Sequence, residues 1–95
     1  MAKGFGNMMK QVQKMQAKMM EVQEQLAEER VEGSAGGGMV KAIVNGKQEL
    51  VEIQIDKEVV DPEDVEMLQD LIVAAVNQAN KAAAEIASEK MAEVT

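Results

Sequence analysis

Apolar residues at Phe5, Met8, Val12, Met15, Met19, Val22 and Leu26 recur in alternating steps of three and four, the period of an amphipathic helix and of a coiled-coil seam. The spacing predicts a helix over about Asn7 to Arg30, with Asn7 as its cap and Gly33 ending the pattern. The period then changes. In VEGSAGGGMVKAIVNGKQELVEIQI, residues 31–55, apolar and polar positions alternate on either side of Asn45-Gly46, a pair that favours a two-residue type I′ hairpin turn. Such a turn sets Val44 opposite Lys47, Ala42 opposite Glu49 and Val40 opposite Val51, gathering Val40, Ala42, Val44, Val51, Ile53 and Ile55 on one face. The run Val31 to Ala35 is a candidate first strand, connected through Gly36, Gly37 and Gly38.

A charged loop follows from Asp56 to Asp61, with room for a brief strand at Val59-Val60. The stretch Asp61-Pro62-Glu63-Asp64 then reads as a helix start: Asp61 as N-cap, Pro62 at the first helical position, and acids against the positive end of the helix dipole. The seam of this second helix is Val65, Leu68, Ile72, Ala75, Ala79, Ala82 and Ile86. The organisation is therefore one α+β domain over residues 1–95, with a helix in 1–30, antiparallel strands in 31–60 and a long helix in 61–92. Val40, Ala42, Val44, Val51, Ile53, Ile55, Met15, Met19, Leu68 and Ile72 are the candidate core or dimer residues. A chain this short buries too small a share of its surface to be comfortable alone, so self-association is expected.

Composition narrows the chemistry. The chain has no Cys and no His, which removes disulfides, thiolate nucleophiles, zinc ribbons and the commonest general base. No paired-carboxylate site is identifiable, so an enzyme is not expected, and neither is a cofactor, a metal or a small-molecule substrate. No apolar run is long enough to span a membrane and no export signal is visible, so a cytoplasmic protein with no membrane partner is expected.

Charge is segregated. Within a formal net charge of -7, Lys3, Lys10, Lys14 and Lys18 give the first 20 residues +4 with no acid, whereas residues 56–80 carry -6. At about 100° per residue these four lysines fall in an arc of roughly 80°, on a different side of the helix from the seam, with Gln11 and Gln25 beside them. The stripe has two readings. It is a solvated helix face, or a phosphate-binding surface whose glutamines can hydrogen-bond phosphate or base edges. No arginine lies near it to read guanine and no aromatic platform exists for single strands. The Gly36-Gly37-Gly38 run lacks the Lys-Ser/Thr ending of a phosphate loop and leads into a strand, so a tight turn or bulge is expected there. The acids at Asp56, Asp61, Glu63 and Asp64 fit capping better than a cation site. The methionines fit a core or dimer seam, with Met9 and Met20 off that seam.

The stretches GFGNMMKQVQKMQAKM, EGSAGGGMVKAIVNGKQELVEIQID and VDPEDVEMLQDLIVAAVNQANKAA together resemble the YbaB/EbfC family of bacterial nucleoid-associated proteins over residues 4 to about 84. The resemblance implies a homodimer whose subunits each contribute a helix, a three-stranded antiparallel sheet and a second helix. It implies dimerisation through the sheet region, helices that project like tweezer arms, and binding of double-stranded DNA with little sequence preference in the nucleoid. Carried onto this chain, DNA contact falls on Lys3, Lys10, Lys14 and Lys18, with Gln11 beside them and Lys81 and Lys90 on the second helix. Two other classes compete with this reading. A prefoldin-like holding chaperone would need much longer helices, and a helical protein-interaction scaffold would use Met9, Met20 and the outer sheet face.

Overall fold

The computed structural model describes residues 2–94, and side chains from residue 4 to residue 94. Helix α1 (Ala2–Glu28) leads into strands β1 (Val31–Ala35), β2 (Val40–Val44) and β3 (Leu50–Ile55), a 3-10 turn at Lys57–Val59, and helix α2 (Val65–Ala92). The strands form an antiparallel meander in the order β1-β2-β3. One face of the sheet is covered by α2, whose Ala75, Ala79 and Ala83 pack on Val31, Val40, Ala42 and Val44. Small residues on both sides make the layer thin. Gly33 of β1 lies so close to α2 that a Cβ there would overlap the Ala75 carbonyl oxygen and the Ala79 amide nitrogen.

Of the candidate core or dimer residues, Val40, Ala42 and Val44 are buried, and Ile53, Leu68 and Ile72 are half-buried against the same core. Val51, Ile55, Met15 and Met19 are exposed in the single chain.

Four local expectations are corrected. The hairpin register is Val40↔Ile55, Ala42↔Ile53 and Val44↔Leu50, with an irregularity at Ile43/Val44 that leaves Val51 unpaired. The expected type I′ turn needs positive φ at both central residues, and neither Asn45 nor Gly46 has it; among non-glycine residues of the turn only Gln48 does, at 64°. The Asn45 carboxamide decides this, because its Oδ1 accepts from the amides of both Lys47 and Glu49. That folds a five-residue loop in place of the two-residue turn. The shift of four residues is even, so Val40, Ala42, Ile53 and Ile55 still share one side of the sheet.

The second correction concerns α2, which starts at Val65 with Asp64 as its cap, not at Pro62 with Asp61. Asp61 instead closes a preceding turn, accepting from the Glu63 amide at 3.0 Å through Oδ1 and from the Asp64 amide through its carbonyl. Asp64 Oδ1 accepts from the Met67 amide at 3.2 Å. Asp64→Ala is expected to cost about 1 kcal/mol and lower the melting temperature by about 4–8 °C, whereas Asp61→Ala should cost less, which thermal melts followed by circular dichroism would resolve.

Third, Val59 lies in the 3-10 turn and not in a strand, because Asp56 caps that turn through the Glu58 amide. Fourth, α1 runs through Asn7 to Ala2 and ends at Glu28, so Asn7 is an interior position and Gly33 a strand residue. The seam already begins at Phe5, ahead of Asn7, and nothing in residues 2–6 breaks the helix. Its C-terminal carbonyls are met by other groups, with Arg30 Nη1 donating to Ala27 O at 3.1 Å.

Candidate nucleic-acid interface

Only the root of α1 is packed. Val22 and Leu26 are each 3% exposed, whereas every residue from Gly4 to Glu21 is exposed, with Phe5 at 70% and Met8 at 66%. Helices of 27 and 28 residues are each about 40 Å long, and the molecule measures 74 × 16 × 15 Å. The two helices therefore lie nearly end to end, overlapping at their C-terminal ends, and α1 projects beyond the body as an arm.

Lys10, Lys14 and Lys18 are exposed on this arm, with Gln11 exposed beside them. The side chain of Lys3 lies outside the described residues. Among the described residues the one ion pair is Lys90 Nζ to Glu29 Oε1 at 3.9 Å, so none of the three arm lysines is held in an ion pair. At 100° per residue the lysines centre roughly 130° around the helix from the apolar seam, which gives the arm an apolar side and a separate basic one.

Glu21, Glu24 and Glu28 are exposed on α1 beyond Lys18, and the other large group of acids lies at the far end of the body. Asp56, Glu58, Asp61, Glu63, Asp64, Glu66 and Asp70 are all exposed and surround the start of α2, at the end of the body away from the arm. At physiological ionic strength the Debye length is about 8 Å, so in a molecule 74 Å long the acidic end does not cancel the field of the arm. The net charge of -7 is thus a poor guide to what the arm attracts.

The two remaining lysine candidates are not brought to the stripe. Lys81 is exposed on α2. It sits nine residues, or about 14 Å of helix, before Lys90 and on the body. Lys90 is half-buried at the arm root, where it is held by Glu29 and donates to Gln25 Oε1 at 3.3 Å. Met9 and Met20 are exposed. Among the described residues no three acids, histidines or cysteines are placed to hold a metal, and no helix is long and apolar enough to cross a membrane.

Sequence reasoning missed the root itself. The Gly46 amide donates to Leu26 O at 2.7 Å, and a Cβ at Gly46 would come within 2.8 Å of Leu26 O. Gly46 is small because α1 rests on it, a requirement that its place in an Asn-Gly pair disguises as a turn signal.

A helix, an antiparallel meander and a helix, with a projecting arm that carries three exposed lysines, define a small α+β protein. A model of the YbaB/EbfC DNA-binding family matches residues 1–95, and the chain belongs to that family. It is 57% identical over 94 residues to a nucleoid-associated protein of Alkaliphilus metalliredigens, covering 99% of this chain and 82% of that one. It is 59% identical over 95 residues to a nucleoid-associated protein of Moorella thermoacetica, covering 97% and 91%. A crystal structure of an uncharacterized protein from Helicobacter pylori superposes with a TM-score of 0.83 at 28% identity, covering 94% of each chain.

Proposed function

We propose that this protein is a nucleoid-associated, cytoplasmic DNA-binding protein that grips double-stranded DNA as a homodimer, mainly through phosphates and with little sequence preference. The observation that carries the reading is the stripe of Lys10, Lys14 and Lys18 on a projecting arm, with no carboxylate partner among the described residues. Membership of a DNA-binding family and relatives called nucleoid-associated proteins support it. Phosphate contact needs only positive charge at the right places, whereas base readout needs bidentate donors, and Gln11 and Gln25 are the polar side chains beside the stripe. The exposed seam of α1, with Leu50, Val51 and Ile55 on the outer strand, supports pairing with a second copy, which doubles the lysines. No catalytic step belongs to this reading.

The test is charge reversal. Lys10→Glu, Lys14→Glu and Lys18→Glu together are expected to weaken binding to a fluorescent duplex by at least about 100-fold at moderate salt, with circular dichroism unchanged. Retained affinity in the folded triple variant would overturn the reading.

A further inference from the structure

We infer that the loop between β2 and β3, together with the last turn of α2, is a clamp that fixes the direction of the basic arm, with Gly46 and Lys90 as positioning residues. The importance of that direction for DNA rests on the reading proposed above; the clamp itself does not. The last carbonyls of a helix have no partner within it, and in α1 one of them, Leu26 O, takes the Gly46 amide at 2.7 Å from a different element, a shorter contact than the 3.2 Å from the adjacent Glu29 amide. The contact is backbone against backbone. A Cβ at Gly46 would lie 2.8 Å from both Leu26 Cδ2 and Leu26 O and 3.0 Å from Leu26 Cα, and rotation of a side chain relieves only the first of these.

The loop is itself held rigid. Asn45, 7% exposed, accepts from the Lys47 and Glu49 amides and donates through Nδ2 to Glu49 Oε1 at 2.9 Å. Gln48, in the left-handed region at φ 64°, donates through Nε2 to Asn80 O of α2 at 3.0 Å. From the other side Lys90 reaches Glu29 and Gln25. The root is therefore gripped by two elements that are both anchored to the sheet, while everything from Gly4 to Glu21 is exposed. Leverage makes this consequential. Phe5 is 21 residues from Leu26, about 31 Å along the helix, so a rotation of about 10° at the root moves the tip by about 5 Å, enough to carry lysines off phosphates.

The chain has no cysteine, so spin labels can be placed at Gln13→Cys on the arm, off both stripes, and Asn77→Cys on the exposed side of α2. The full-length labelled protein, diluted with unlabelled chain so that only distances within one chain are read, is measured by pulsed electron resonance. The unmutated root is expected to give one narrow distribution. Gln13 is 13 residues, about 20 Å of helix, from Leu26, so Gly46→Val should shift or broaden it by about 3 Å or more, with the sheet retained by circular dichroism. Asn45→Asp, which keeps the Oδ1 acceptor but sets a carboxylate against Glu49, should act in the same direction and guards against a Gly46 variant that does not fold. Both variants should bind duplex several-fold more weakly. Unchanged distances in the folded variants would overturn the clamp, and shifted distances with unchanged DNA affinity would overturn its positioning role. Failure of the unmutated protein to bind duplex would count against the DNA reading, with the distances still deciding the clamp.

Discussion

Gly33→Val is expected to be the most destabilising single substitution in the body, lowering stability by about 3 kcal/mol or more and the melting temperature by about 12–24 °C. The reason is the thinness of the helix-on-sheet layer. Ala75, Ala79 and Ala83 are fully buried, and the largest fully buried side chains are only Val40 and Val44. A side chain at Gly33 meets the backbone of α2 at Ala75 and Ala79, and backbone inside a helix cannot move aside locally, so the whole of α2 must lift from β1. Gly6→Ala is the control. Nothing lies within 4 Å of its Cβ position, and in a helix that change should be neutral or stabilising by up to about 1 kcal/mol. Thermal melts of the two variants check the claim, and a Gly33 variant melting with the unmutated protein would contradict it.

The double substitution Met15→Asp with Met19→Asp is expected to act on association and not on the fold of the body. Both residues lie on the exposed seam, outside the helix-on-sheet core. Full burial of such a side chain contributes about 1.5–3 kcal/mol, and a homodimer that covers the seam contains four of them. Sedimentation equilibrium should show the dissociation constant rising by at least about 100-fold, while Lys10→Gln leaves it unchanged. A double variant that sediments like the unmutated protein would mean that the seam does not pair.

Much of this architecture was legible because period and chemistry agreed. The steps of three and four in α1 and α2 survive as helices, the alternation around Ala42 and Ile53 survives as one side of a sheet, and Gly36, Gly37 and Gly38 all take positive φ. Errors arose where a side chain competed with a backbone preference. Asn45 and Gly46 carry a strong turn signal, but the Asn45 carboxamide organises a longer loop and Gly46 serves a contact with Leu26, a residue of another element. In Asp61-Pro62-Glu63-Asp64 two aspartates can each cap, and local pattern alone does not choose between them.

The lysine stripe was visible as an arc on one helix. The segregation of charge along the chain was visible too, but not that the acids of residues 56–70 lie at the far end of the body, because periodicity says which side of a helix is apolar and nothing about what lies across from it. The pairing of Lys90 with Glu29 likewise has no local signal, since the C-terminal ends of the two helices, 61 residues apart in sequence, meet only through the fold.

The central claim is that the arm binds phosphate by charge, and the salt dependence of DNA binding tests it most directly. Titrating the unmutated protein against a duplex of about 30 base pairs, between about 50 and 200 mM salt, should give a slope of log K against log salt near -5 if six lysines of a dimer neutralise phosphates. The Lys10, Lys14 and Lys18 charge-reversal variant should lose most of that slope. A slope near zero in the unmutated protein, or no binding at the lowest salt, would contradict the account.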